Sequence, residues 1–181
     1  MSSPDIRVLH LARLKEGFPG VSFARALNFF EACLVCFHLQ KQASGLKLIV
    51  KGDFEAEFII TWTETVDETI IRSWDDPEEA TEAAACGIAF LLVIALTDYT
   101  IIQRSRKGTG FDYWLGLKDA LVFEAKARLE ISGIFKARRE SEIVERVKNK
   151  KEQTALSDKS ELPAYIVVVE FSHPLAYLVK K

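Results

Sequence analysis

Apolar positions in the first half of the chain predict a long buried helix followed by a β-hairpin. Residues 22–42 are too long and too continuously apolar for a strand, and Ser22 is a favourable N-cap, so a helix buried on most of its circumference is expected. Residues 46–52 and 54–63 are rich in β-branched and aromatic side chains. The Gly-Asp dipeptide between these runs indicates a tight turn, and the pair therefore predicts a hairpin.

The second half of the chain predicts a helix, three strands, a second helix and a last strand. The first helix begins with Asp76 as N-cap, Pro77 as first helical residue and Glu79 as the reciprocal capping glutamate, and it extends to about Leu96. The last strand is continuously apolar, which is typical of a strand buried on both faces. The predicted strands are 99–106, 111–116, 121–132 and 164–171, and the predicted second helix is 136–156.

This order predicts an α+β protein with a mixed sheet, in which an N-terminal helix and hairpin (residues 1–74) pack on an α-β-β-β-α-β core (residues 75–181). The hydrophobic share of 49% and the charged share of 28% are ordinary for a globular protein. The uncharged run at 83–97 is shorter than the roughly 20 residues that span a bilayer, so we expect no membrane span. With no secretory leader visible and three cysteines inside apolar runs, we expect a cytoplasmic location and buried thiols.

Candidate chemistry lies on one face of the predicted strand 121–132. Glu124 and Lys126 alternate with alanines, so they project to the same side of the sheet. If a turn centred near Lys118 joins this strand to the preceding one, Asp112 lies opposite Glu124, with β-carbons roughly 5 Å apart. Two carboxylates this close repel each other unless a cation lies between them, and a divalent metal such as Mg²⁺ is the natural occupant. Lys126 would position or deprotonate a water molecule, or neutralise a phosphate.

The same pattern has a simpler interpretation. The polar face of residues 124–130 could be a ladder of surface ion pairs, each worth under about 1 kcal/mol. Asp112 could be a turn residue beside the glycines at 108 and 110. Both interpretations stay open from the sequence.

Asp112, followed by Glu124-Ala125-Lys126 on the next strand within an α-β-β-β-α-β order, resembles the PD-(D/E)XK nuclease superfamily, which has the restriction-endonuclease-like fold. The resemblance covers about residues 75–171. It implies hydrolysis of DNA phosphodiesters with Mg²⁺, or with Mn²⁺ in its place, Asp112 and Glu124 being the metal ligands and Lys126 the catalytic lysine. Phe111 stands where the family has proline, and only the glutamine of the Gln-x-x-x-Tyr feature of some branches is present, as Gln153.

The distribution of charge favours an anionic partner for the second half. Residues 1–98 carry 8 Lys and Arg against 15 Asp and Glu, whereas residues 99–181 carry 16 against 11. Lysine and arginine contacts to phosphates are what DNA binding needs, although exposed charges also serve solubility. The candidate DNA-binding residues are Arg104, Arg106, Lys107, Lys148, Lys150, Lys151 and Gln153.

The sequence therefore predicts a Mg²⁺-dependent nuclease acting on DNA. The alternative is a catalytically inactive, nuclease-like binding or regulatory protein that acts through a protein partner, which the acidic first half would favour. The very apolar helices at 22–42 and 80–96 further predict a homodimer, since they could bury an interface.

Overall fold

A mixed sheet of eight strands organises the computed structural model, which describes residues 7–181. Its strand order is β1-β3-β2-β8-β7-β6-β5-β4, with both parallel and antiparallel neighbours. The strands are β1 (Arg7–His10), β2 (Leu46–Gly52), β3 (Ala56–Thr61), β4 (Tyr99–Arg104), β5 (Tyr113–Leu117), β6 (Ala127–Ile134), β7 (Ala164–Glu170) and β8 (Leu175–Lys180).

Helices cover both faces of this sheet. On one face α1 and α3 pack against each other and against the sheet, and α4 covers β6, β7 and β8 on the other face. The described chain therefore forms three layers, as expected for a mixed α and β protein. The helices are α1 (Phe23–Leu39), α2 (Glu68–Ser73), α3 (Pro77–Leu96) and α4 (Glu140–Gln153), with 3₁₀ helices at Leu11–Glu16 and Thr154–Ser160.

Local signals in the sequence account for how these helices begin. The hydroxyl of Ser22 accepts a hydrogen bond from the main-chain N–H of Arg25, and the carboxylate of Asp76 accepts one from Glu78. Both bonds satisfy N–H groups that have no partner within the first turn of a helix. The hairpin of β2 and β3 is also confirmed, and Gly52 at its turn has φ +111°, a conformation that favours glycine.

Strand β8 connects the N-terminal hairpin to the rest of the sheet. It pairs in parallel with β2 and antiparallel with β7, so residues 7–74 and 75–181 contribute strands to one sheet. The sequence predicted neither β8 nor β1. The segment after His173-Pro174 follows a turn signal, and this obscured the strand at Leu175–Lys180.

The most apolar helix, α3, is a core element. By length and composition alone it could cross a membrane, but 61% of its most apolar window is buried inside the protein. This burial is consistent with a soluble protein. The apolar surfaces of α1 and α3 that prompted the homodimer prediction pack largely within the core, and the homodimer stays a prediction.

The predicted start of the third core strand is wrong. Residues 118–126 form an irregular loop, and β6 begins only at Ala127. The apolar residues Leu121, Val122 and Phe123, which favoured a strand, are exposed at this loop. A connection this long does not place the strand partners around a tight turn at Lys118, so the register expected between β5 and β6 is also wrong.

Candidate functional site

Asp112 lies opposite Glu130, six residues beyond the expected partner Glu124. Tyr113 pairs with Leu129 in the β5–β6 ladder, and the main-chain N–H of Asp112 donates to the carbonyl of Leu129 over 2.8 Å. The Asp112 carboxylate accepts a hydrogen bond from the main-chain N–H of Ile131, with an Oδ2 to N distance of 2.9 Å. Its position beside Glu130 is therefore held by the main chain of β6.

Glu130 is a buried carboxylate with one oxygen left unpaired. Its side chain is 2% exposed, and Oε1 accepts hydrogen bonds from Lys150 Nζ at 2.7 Å and Gln153 Nε2 at 3.1 Å. Oε2 is buried and has no hydrogen-bond partner among the described residues. An unsatisfied buried acceptor costs about 1–3 kcal/mol, so this arrangement is unfavourable unless something else occupies the site.

The protonation of Glu130 follows from the same surroundings. The pKa of Glu130 is raised to about 7: burial is the largest cause, the negative charge of Asp112 acts in the same direction, and Lys150 opposes both effects. The carboxylate pair therefore attracts either a proton or a cation, as expected for two acids that share a poorly solvated site.

These residues line a cleft of about 740 Å³. Arg104 approaches Asp112 with an Nη1 to Oδ1 distance of 3.3 Å, and Arg146 donates to the hydroxyl of Ser132 over 2.9 Å. A bulge in β4 between Ile101 and Gln103 shifts the register so that Arg104 lies opposite Tyr113. Other charged side chains at the cleft are Arg25, Glu78, Glu79, Glu82 and Lys136.

The structure does not bring Glu124 and Lys126 to this cleft. They form an ion pair with each other, with an Nζ to Oε2 distance of 2.7 Å, and their side chains are 71% and 40% exposed. The pairing of Glu124 with Asp112, from which their catalytic roles were deduced, is contradicted by the register. The surface ion pair that was the simpler interpretation describes these two residues.

The predicted DNA-binding residues fall into two groups. Arg104, Lys150 and Gln153 line the cleft itself, and Arg106 and Lys107 line an adjoining cavity of about 550 Å³. Lys148 and Lys151 are exposed on α4 and do not line the cleft.

Sequence reasoning missed Glu130 as the partner of Asp112. Glu130 was recognised only as part of the polar face of the strand, because every second residue from 124 to 130 projects to that face. The available signal was on α4, where Lys150 and Gln153 are spaced i,i+3 and so share a helix face. Both side chains point back to Glu130.

The donor set fits a hard divalent cation. Among residues 7–181 no group of three or more histidine, cysteine, aspartate or glutamate side chains converges. Mg²⁺, however, usually takes one or two protein carboxylates and completes its shell with water and phosphate oxygens. The oxygen donors of this kind at the cleft are the unpaired Oε2 of Glu130 and the carboxylate of Asp112, which already contacts Arg104 and the Ile131 N–H.

The comparisons with known proteins do not identify the chain. No protein-family model, no curated protein and no solved structure matches it. Its function must therefore be inferred from the Asp112–Glu130 cleft.

Proposed function

We propose that the protein is a Mg²⁺-dependent nuclease that hydrolyses phosphodiester bonds of DNA, with Asp112 and Glu130 as metal ligands. The observation that supports this most directly is the buried carboxylate pair with an unpaired oxygen, next to the ammonium group of Lys150. A strongly raised carboxylate pKa in a cleft is typical of functional sites. Mn²⁺ is expected to replace Mg²⁺ because it accepts the same oxygen ligands.

The element order supports a restriction-endonuclease-like core. Elements α3, β4, β5, β6, α4 and β7 follow one another as α-β-β-β-α-β, the order expected from the resemblance to the PD-(D/E)XK superfamily. In the proposed site the acidic residue of β6 is Glu130, and the position two residues later is Ser132. The lysine is then Lys150 of α4, whose ammonium group reaches Glu130 from the neighbouring helix.

Each side chain of the site has a separate role in this proposal. Bound metal would supply Lewis-acid activation of the phosphate and a water nucleophile at neutral pH. Lys150 holds Glu130 Oε1 and places a positive charge where negative charge develops on the phosphate. Gln153 fixes the orientation of the Glu130 carboxylate, and Arg104 and the Ile131 N–H fix that of Asp112.

Positively charged side chains lie on both sides of the cleft, where a polyanionic substrate would need them, and the glutamates at 78, 79 and 82 line the same cleft. Arg104, Arg106 and Lys107 lie on the β4 side, and Lys136 and Arg146 lie on the side of β6 and α4. These groups can contact phosphates on both sides of the carboxylate pair. The choice of DNA as substrate comes from the family resemblance.

One observation favours the alternative function, a nuclease-like protein that acts by binding another protein. Leu121, Val122 and Phe123 are exposed together in the loop between β5 and β6. Contiguous exposed apolar side chains are typical of protein interaction sites. If the protein acts only in this way, the carboxylate pair will bind no metal and cleave nothing.

Cleavage and metal binding test the proposed function together. The wild type should cleave plasmid and linear DNA with Mg²⁺ or Mn²⁺ and not in EDTA. Calorimetry with Mn²⁺ should detect a site that Asp112→Asn weakens at least tenfold, because the substitution removes a charged oxygen ligand. Glu124→Gln is the matched control, and both its cleavage rate and its Mn²⁺ affinity should equal those of the wild type. No heat with Mn²⁺ and no cleavage by the wild type would refute the proposal.

A further inference from the structure

A second buried polar atom in the same cleft has no partner. Tyr113 of β5 is fully buried, and its hydroxyl has no hydrogen-bond partner among the described residues. Its ring packs edge-on against Phe90, with ring centroids 4.9 Å apart. Buried tyrosine hydroxyls normally find a partner, so this one is available to form a hydrogen bond with a ligand.

Two arginines from different elements lie next to this hydroxyl. Arg104 of β4 places its guanidinium carbon 4.7 Å from the Tyr113 ring centroid, and Arg25 of α1 lines the same part of the cleft. Both arginines are close enough to act electrostatically on the phenol group. A tyrosine hydroxyl is an O–H donor, so it can donate to a ligand.

The positive charge of Arg25 is not matched by a carboxylate in the described chain. Arg25 is exposed and lies over the ring of Phe29, with 5.6 Å between its guanidinium carbon and the ring centroid. Within residues 7–181 it forms no ion pair. Arg104 contacts Asp112 at 3.3 Å through a single nitrogen, which leaves other guanidinium N–H groups free to bind a ligand. Glu78, Glu79 and Glu82 of α3 also line the cleft.

We propose that Arg25, Arg104 and the Tyr113 hydroxyl form a phosphate-binding subsite beside the Asp112–Glu130 pair. Guanidinium groups match phosphate oxygens in planar, two-point contacts, and a phenol hydroxyl adds a neutral donor. Since the arginines come from α1 and β4, they would contact a bound phosphate from two directions. Only the source of the phosphate, the nucleic acid, rests on the proposed function.

A nucleic acid can supply this phosphate in either of two ways. A terminal phosphomonoester carries roughly 1.5–2 negative charges at pH 7, which suits two guanidinium groups. A backbone diester next to the scissile bond carries one charge and offers the same oxygens. The shared chemistry is a phosphate group, and oligonucleotides that differ only at their ends distinguish the two sources.

Thermal unfolding of the metal-free protein tests the subsite directly. In EDTA, inorganic phosphate should raise the Tm of the wild type above that in chloride at the same ionic strength. Arg25→Ala and Tyr113→Phe should each weaken the apparent phosphate affinity at least fivefold. Tyr113→Phe should also start from a Tm no lower than that of the wild type, because it removes only the unpaired hydroxyl. Arg72→Ala, an exposed arginine of α2, is the control and should respond like the wild type.

Oligonucleotide binding in EDTA then identifies the source. If the phosphate is terminal, the wild type should bind a 5′- or 3′-phosphorylated strand at least fivefold more tightly than the same strand with hydroxyl ends, and Arg25→Ala should abolish the difference. If it is internal, Arg25→Ala should weaken binding of all three strands equally. Equal phosphate responses and equal strand binding in the wild type, Arg25→Ala and Tyr113→Phe would overturn the subsite. Neither measurement needs a metal ion, so both results can be interpreted even if the protein does not cleave DNA.

Discussion

Glu130→Gln should abolish metal-dependent cleavage and at the same time stabilise the metal-free protein at pH 8. The substitution keeps the shape of the side chain and its contact with Lys150, but it removes the negative charge that a cation needs. We expect cleavage to fall by about 10²-fold or more, the range seen when the support of a catalytic metal is lost. Activity equal to that of the wild type would show that Glu130 holds no metal.

Glu130→Gln should stabilise the metal-free protein because the Glu130 carboxylate has to ionise in a buried, poorly solvated position. Its pKa is raised from 4.5 to about 7 on folding, so the folded state binds the proton more tightly than the unfolded state. The stabilisation that comes from this tighter proton binding is fully present below about pH 4.5 and is lost as the pH rises to about 7. Above that pH the ionised carboxylate reduces the free energy of unfolding by roughly 1–3 kcal/mol, and glutamine avoids this cost.

Urea unfolding at two pH values separates these effects. In EDTA, Glu130→Gln should exceed the wild type in stability at pH 8, and the difference should shrink at pH 5. Added Mn²⁺ should stabilise the wild type at pH 8 and leave the variant unchanged. The exposed Glu124→Gln should behave as the wild type throughout. A difference between Glu130→Gln and the wild type that is the same at both pH values would contradict the assigned ionisation.

Arg128→Met should produce the largest loss of stability, about 3–5 kcal/mol. Arg128 is 3% exposed, and its guanidinium donates to the carbonyls of Leu162 and Thr154 and to the side chains of Ser157 and Asp158. It therefore ties the 3₁₀ helix after α4 to the segment that leads into β7. Methionine fills part of the space but leaves these acceptors without a donor.

The midpoint of urea unfolding at pH 7 measures this loss. Arg138→Met is the matched control, because Arg138 is exposed, and it should change the free energy of unfolding by less than about 0.5 kcal/mol. A loss below about 1 kcal/mol for Arg128→Met would show that the network contributes little to the fold.

The three long helices α1, α3 and α4 and the first hairpin were predictable because local residues determine them, whereas the short helix α2 was not predicted. Caps such as Asp76 and turn residues such as Gly52 act within a few positions, and the structure confirms both. Strand β8 forms a local hairpin with β7 and was missed because the His173-Pro174 turn indicated the end of the sheet, whereas its pairing with β2 spans more than a hundred residues and has no local signal. The mixed α and β class thus followed from the sequence, and the joining of the two halves in one sheet did not.

The site was half predictable for a related reason. Asp112 was identified, but the partner assigned to it differs from Glu130 by six positions. A slip by an even number of residues keeps the same side chains on the same face, so alternation along the strand could not distinguish the two registers. Only the loop length fixes the register. The exposed Leu121, Val122 and Phe123 made that loop resemble a strand.

The interior position of β8 constrains the order in which the protein can be completed on the ribosome. Strands β1, β2 and β3 emerge early, but they join the remaining sheet through β8, which is made after β7. Until residues 175–180 leave the exit tunnel, the nascent chain therefore exposes the unpaired edges of β2 and β7. The two parts of the sheet can therefore join only after β8 has been synthesised, and the unpaired edges of β2 and β7 are open to pairing with other chains until then.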